Sequence, residues 1–334
     1  MNPFSYRRVA TAAEAVSSVS HDSGALFLGG GTTLVDLMQL DVVRPKTLVD
    51  VGGLPLAHIE RLADGGLRIG ALVRNADLAN DVVVAKRFPV LAEAILAGAS
   101  PQIRNMATTG GNLLQRTRCP YFRDVFSACN KREPGSGCAA AGGYDRMQAI
   151  LGTSEKCIAT FPGDMPVALA AIDAVVRTRR PGGSERAIPI GDFYVSYGED
   201  PAKENVLEHG ELVVAVDLPS THWLARSHYV KVRDRASYDF ALASAAVALD
   251  VEGGRIRQAR VALGGVATKP WRSTDAEKAL VGAPPNEASY RAAAEAALRN
   301  ARPGKHNAFK VELATRTLVR ALTVAVTRVA PRVA

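Results

Sequence analysis

The stretch QIRNMATTGGNLLQ at residues 102–115 decides how this chain is read, together with RTRCPYFRDVFSACNKREPGSGC at 116–138 and EKCIATFPGDMP at 155–166. All four cysteines of the protein, Cys119, Cys129, Cys138 and Cys157, lie inside it. Before them, Thr108, Thr109, Gly110, Gly111 and Asn112 form a loop of small, hydrogen-bonding residues. Such a loop lets the backbone come close to a planar or phosphorylated ligand. Asp164 follows the last cysteine. Residues 115–158 are rich in glycine and proline and show little periodicity. A loop of that length without structure of its own is uncommon in a compact domain unless it is functional.

The cysteines are spaced C-x9-C, C-x8-C and C-x18-C. This matches neither the close ligand pairs of a zinc ribbon nor a ferredoxin run. Pro120 stiffens the turn after Cys119, and Arg116, Arg118, Lys131 and Arg132 bring charge that offsets thiolates. A chain of 334 residues has core enough to do without disulfide staples. On the residues alone three states remain open: a metal or cluster, two disulfides, or free thiols.

Outward toward the N-terminus, Thr11 and Glu14 fit a capping box that starts a helix through about Ser20. Residues 25–28 read as a strand, followed by the loop GGGTT at 29–33 and a helical turn or two at 34–40. Strand, glycine loop and helix start present backbone amides to a phosphate. Leu34 stands where the dinucleotide fingerprint G-x-G-x-x-G needs its last glycine, and no P-loop lysine follows, so this is a cradle of another class. Residues 47–51 and 67–71 are expected strands, and 75–80 and 88–98 helices, the latter with Pro89 in its first turn.

Outward toward the C-terminus, residues 164–172 predict a helix with Asp164 at its cap. Residues 173–178 and 184–190 predict a hairpin around Pro181. A domain boundary falls in the loop at 192–210, giving domains 1–205 and 211–330. The second begins with four expected strands, 211–218, 227–233, 244–251 and 255–263, and ends with helices near 273–281, 287–300 and 308–329. Strands first and helices afterwards imply an α+β domain with helices on one face of an antiparallel sheet.

The formal net charge is +8, with basic residues dispersed among acidic ones rather than gathered with aromatics, so no nucleic-acid signature exists. No apolar run is long enough to span a membrane, and the N-terminus has no apolar signal region. The six histidines are scattered outside any metal motif, and no G-x-S-x-G elbow is present.

Taken together, LFLGGGTTLVDL, IRNMATTGGNLLQRTRCPYF, ACNKREPGSGC, CIATFPGDMPVAL, YVKVRDRASYDFALAS and LGGVATKPWR resemble the FAD-binding middle subunit of the molybdenum hydroxylases, the xanthine dehydrogenase and aldehyde oxidoreductase family. The likeness covers nearly the whole chain. Its cysteine insertion is similar to that of bacterial heterotrimeric aldehyde oxidoreductases of the PaoABC type, whose flavin subunit carries an extra 4Fe–4S cluster. The resemblance implies a vanillyl-alcohol-oxidase-type FAD domain in two lobes, then a smaller α+β domain.

For cofactor contacts, the resemblance implies Leu26, Phe27, Leu28, Gly29, Gly30, Gly31, Thr32, Thr33 and Leu34 at the pyrophosphate and adenosine side. It implies Thr108, Thr109, Gly110, Gly111 and Asn112 as the second FAD loop, with Asp164 on the cofactor, Leu212 toward the adenine and Lys231 near the flavin ring. Cys119, Cys129, Cys138 and Cys157 would ligate the cluster. Thr33 departs from the family pattern, which has asparagine there, but leaves the amide-rich turn intact. The implied partners are a large molybdenum-cofactor subunit, a small subunit with two 2Fe–2S clusters and an external electron acceptor. No catalytic residue is implied on this chain. The compartment is either the cytoplasm or the periplasm, the latter by co-export with a signal-bearing partner.

Overall fold

The glycine loop at 29–33 follows one of three short N-terminal strands, β1 (Ser5–Arg8), β2 (Ala25–Leu28) and β3 (Thr47–Asp50). They pair in parallel in the order β1-β3-β2, with Leu48 and Val49 of the central strand buried. Helix Ala12–Ser20 connects β1 to β2, and the Thr11 hydroxyl accepts the Glu14 N–H at 3.1 Å, as a cap requires. The computed structural model describes residues 1–328. Residues 329 and 330, at the end of the expected last helix and C-terminal domain, lie outside the described residues.

The second lobe is an antiparallel sheet of β4 (Ile59–Arg61), β5 (Leu67–Gly70), β6 (Val175–Arg179), β7 (Glu185–Pro189) and β8 (Leu212–Leu218), in the order β4-β5-β8-β6-β7. Here the structure differs from the expectation that 211–218 opens the C-terminal sheet. β8 instead fills the gap between β5 and β6, with Val216 opposite both Ile69 and Val176. An apolar strand announces itself by composition, but its partners are set by which sheet leaves a slot, and here those partners lie far away in sequence.

The last sheet is an antiparallel meander, β9 (Ser227–Val232), β10 (Ala243–Glu252), β11 (Arg255–Gly264) and β12 (Trp271–Arg272), in the order β12-β11-β10-β9. Ala243, Ala245, Val247 and Leu249 of β10 face one core with helices Glu287–Leu298 and Phe309–Thr327. Ala246 and Ala248 face the opposite core with helices Pro89–Ala97 and Met165–Ala171 of the second lobe. The expected helices therefore cover one face, and the FAD-type lobe covers the other. Burial on both faces explains why β10 is apolar along most of its length, without the alternation of a half-exposed strand. The chain thus adopts the expected α+β architecture, two lobes followed by a smaller domain. Among the described residues no helix is long and apolar enough to cross a membrane.

Candidate cofactor sites

The two glycine loops touch each other. A Cβ on Gly30 would lie 2.0 Å from the Met106 carbonyl oxygen, and one on Gly29 would lie 3.1 Å from Thr108 Oγ1. Gly31 has φ +74°, the left-handed region that glycine enters without strain. Thr108 caps helix Thr109–Leu113, its Oγ1 accepting the Gly111 N–H at 3.2 Å. Thr109 and Gly110 turn the other way. Thr109 Oγ1 donates to the Val73 carbonyl at 3.0 Å, and the Gly110 N–H to that of Ala71 at 2.8 Å. These bonds moor the second loop to the chain leaving β5.

Beside the loops lies an open-sided cleft of about 230 Å³ at the seam between the second lobe and the C-terminal domain. Thr32, Thr33, Gly111, Asn112, Asp164 and Lys231 line it. Leu26, Phe27 and Leu28 sit behind the loop on β2, paired with Leu48, Val49 and Asp50, and Leu34 begins helix Leu34–Gln39. Leu212 lies away from the cleft, in the core that includes Val49 and Leu72.

Asp164 stands at the N-cap of helix Met165–Ala171 but makes no capping bond, contrary to the simplest reading of its position. Its carboxylate accepts the Tyr229 hydroxyl at 2.6 Å and Lys231 Nζ at 2.8 Å. Lys231 Nζ also donates to the Ala97 carbonyl at 3.2 Å, and its side chain is only 3% exposed. Burial, helped by the Asp164 charge, holds the Tyr229 phenol protonated far above its ordinary range. The pair joins β9 to the second lobe at the cleft wall. Removing either partner would leave a buried charge uncompensated.

Several lining residues carry no mark in the sequence. Asn75 is buried, and its Oδ1 has no hydrogen-bond partner in the protein. Arg104, Gln115, Arg118, Arg235 and Tyr238 also face the cleft. Arg104, Gln115 and Arg118 lie within residues 102–138, the stretch that carries the cysteines, whereas Asn75 arrives from a helix distant in sequence. Arg104, Arg118, Lys231 and Arg235 outnumber the carboxylates Asp164 and Asp239. A cationic wall, two small-residue loops and an orphaned buried acceptor suit a phosphorylated cofactor with hydrogen-bonding groups.

All four cysteines are free and line one small cavity, with Phe122 and Lys131 among their neighbours. Cys129 pairs with Cys138 in an isolated antiparallel bridge, and Ser154 with Cys157 in another. Cys138 and Cys157 interact: the contact with Cys157 lowers the pKa of the Cys138 thiol, and the contact with Cys138 together with burial pushes the Cys157 thiol up. Among the described residues no three His, Cys, Asp or Glu side chains converge as they would on a single metal ion. A 4Fe–4S cube makes a different demand, since each thiolate binds its own iron. Four cysteines around a shared cavity, with no histidine or carboxylate among the donors, fit that demand in number and chemistry.

Of the four cations that the sequence sets against the thiolates, Lys131 alone lines their cavity, where Lys156 joins it. Lys131 is fully buried, with Nζ 2.9 Å from the Pro201 carbonyl, 2.8 Å from Glu204 Oε1 and 3.8 Å from the Tyr197 ring centre. Arg116 donates to the same Glu204 at 2.6 Å. Arg132 donates to the carbonyls of Tyr121 and Phe122, and Arg118 turns to Asp36 and the cleft. A second cavity, of about 110 Å³, lies between the cleft and the cysteines. It shares Arg118, Pro162, Asp164 and Phe240 with the cleft, and Cys119 with the cysteine site.

Comparison with known proteins matches residues 2–221 to the FAD binding domain in molybdopterin dehydrogenase and residues 228–325 to the CO dehydrogenase flavoprotein C-terminal domain. The chain is 51% identical to the aldehyde oxidoreductase FAD-binding subunit PaoB of Escherichia coli, over 96% of this chain and 98% of that protein. It superimposes on carbon monoxide dehydrogenase from Hydrogenophaga pseudoflava with a TM-score of 0.76 and 26% identity, covering 97% of this chain and 98% of the other. For CO dehydrogenase from Oligotropha carboxidovorans the TM-score is 0.77 at 25% identity, with 98% and 99% covered. A cleft built for a phosphorylated cofactor, in a fold and sequence shared from end to end with these proteins, means that the chain belongs to the FAD-binding medium subunits of the molybdenum hydroxylases, a family of multi-subunit oxidoreductases.

Proposed function

We propose that the chain is the FAD- and 4Fe–4S-containing electron-transfer subunit of a heterotrimeric molybdenum-dependent oxidoreductase acting on an aldehyde or related heterocycle. Substrate oxidation belongs to a large partner subunit with the molybdenum cofactor. A small partner subunit with two 2Fe–2S clusters delivers the electrons, and an external acceptor removes them. Bound FAD supplies the exchange between one-electron and two-electron chemistry. The 51% identity to an aldehyde oxidoreductase subunit supports the substrate class. The cavity shared by Cys119, Cys129, Cys138 and Cys157 is the observation that carries the cluster.

This chain's own residues bind and orient. The backbone at Gly29, Gly30 and Gly31 meets the pyrophosphate. Thr32, Thr33, Gly111 and Asn112 hold the cofactor from the cleft wall, against Thr108. The Asp164–Lys231 pair fixes the wall at the ring. Lys131 offsets the charge of four thiolates while remaining tied to Glu204. No group on this chain is assigned to proton transfer with the substrate.

Anaerobic purification from the native host, followed by iron and flavin analysis, tests the reading. The expected result is about eight iron atoms per heterotrimer, four beyond those of the partner's two 2Fe–2S clusters, and about one FAD. The Cys138→Ser variant should lose those four additional irons and keep the flavin. Full iron in that variant would remove the ligand assignment, and a colourless wild-type protein would remove the cofactor reading altogether. Turnover of an aldehyde by the isolated chain would favour a self-sufficient FAD oxidase instead.

A further inference from the structure

Gln148 lies between the two cofactor sites and has no role in either as described so far. Its side chain is 1% exposed, and Nε2 donates to Cys119 Sγ at 3.3 Å. Sulfur is a weak acceptor as a thiol and a much stronger one when it carries negative charge. The backbone of Gln148 is held on both sides. Its carbonyl accepts Lys310 Nζ at 3.0 Å and Asn307 Nδ2 at 3.3 Å, and its N–H donates to the Asp145 carbonyl at 2.8 Å. The Asp145 carboxylate in turn accepts the N–H groups of Lys305 and His306 at 2.9 and 2.8 Å. The amide is therefore aimed at the sulfur by the C-terminal domain, not by the cysteine loop itself.

Cys119 is also the one cysteine of the four that lines the intermediate cavity reaching to Asp164 and the flavin-side cleft. Gln148 lines that same cavity.

We propose that Cys119 is the cluster thiolate turned toward the flavin, and that Gln148 is a positioning residue whose N–H···S hydrogen bond raises the cluster's reduction potential. This rests on the 4Fe–4S reading above. The step concerned is the addition of one electron to the oxidised cluster, with no bond made or broken. That electron puts more negative charge on the sulfurs, so a fixed N–H donor stabilises the reduced state more than the oxidised one.

The test is an EPR-monitored potential titration of the complex as isolated, with dithionite as the electron donor, on wild type and Gln148→Leu. Leucine approximates the side-chain volume and leaves the backbone bonds to Lys310 and Asn307 in place. The expected outcome is unchanged iron and flavin content with a reduction equilibrium shifted against the reduced cluster by up to about tenfold, about 59 mV for one electron. Gln148→Glu, which replaces the donor by an acceptor of the same shape, should shift it further the same way. An unchanged potential in loaded Gln148→Leu would overturn the proposal. So would loss of iron in both variants while wild type is loaded, because that marks an assembly residue instead. A wild-type complex with only the four irons of the partner's 2Fe–2S clusters fails the cluster reading itself, and the iron assay reports that separately from the potential.

Discussion

The flavin-side cleft and the cysteine loop are neighbours held together by opposite means. At the cleft the chain comes close by having no side chains: Gly30 lies against the Met106 carbonyl, and Gly29 against Thr108. At the cysteine loop two buried lysines do the holding. Lys131 ties its middle to residues 201–204, and Lys310 ties its end, through the carbonyls of Met147 and Gln148, to the last helix. In the proposed reading a phosphorylated cofactor is bound by backbone, so its cradle tolerates no bulk. A loop with little apolar material is ordered by long cations, Lys310 with three carbonyl acceptors and Lys131 with a carbonyl, a carboxylate and the Tyr197 ring. The first region should therefore break by addition and the second by deletion.

The sharpest test of that contrast is Gly30→Val. A Cβ 2.0 Å from a backbone carbonyl cannot be accommodated without separating the loops. Overpacking of this kind costs about 1–3 kcal/mol or more. The expected result is loss of bound flavin, read from the visible absorbance per chain, with iron retained. Full flavin occupancy would mean that the loops need not touch.

Lys131→Met should spare the flavin and loosen the cysteine loop. Removing one partner of a well-buried pair costs about 3–5 kcal/mol, and the part-exposed Glu204, which keeps Arg116, brings the expectation to about 2 kcal/mol. A lower Tm and faster loss of iron to a chelator, at constant flavin, are the readouts. Equal loss of both cofactors would show that the two regions are one cooperative unit.

The smallest effect is a pH dependence. Burial pushes the Lys310 ammonium down to about 7, although three carbonyls accept from it. Between that value and the ordinary lysine range the unfolded chain binds the proton and the native chain releases it. Stability must then rise with pH across the window, by at most about 1.4 kcal/mol per pH unit. The cost of the buried charge is complete below pH 7. Denaturant unfolding of wild type minus Lys310→Met, from about pH 7 to about pH 10, should show that slope. A flat difference would mean that the three carbonyls keep the lysine charged.

Much of the cleft was legible in the chain itself. GGGTT after an apolar strand signals a loop by composition, because only small residues permit close backbone approach, whereas TTGGN, expected as a second loop, is the Thr108 cap and the first residues of the short helix Thr109–Leu113. The lysine in YVKVRD is visible only as a charge in a strand, and Asp164 reads as a helix cap. Their pairing at 2.8 Å depends on β9 being laid against the second lobe. Leu212 shows the same limit in reverse: its strand was evident, but its sheet was not, since β8 joins β5 and β6 across long stretches of chain.

By itself the sequence determined most of the longer strands and helices, the two small-residue stretches, and the confinement of four cysteines to one irregular segment, but not the short strands β1, β4 and β12 or the helices Val82–Arg87 and Pro101–Met106. What it determined follows from local chemistry: backbone freedom, side-chain period and capping. Only the tertiary structure decided that the four cysteines share a cavity, that Asn75 and Arg118 face the cleft, and that Gln148 reaches Cys119 from a segment pinned by Lys310. The cleft and the Gln148–Cys119 contact form where β10, buried on both faces, brings the C-terminal domain against the second lobe, whereas the cysteine cavity is lined by residues 119–159 alone.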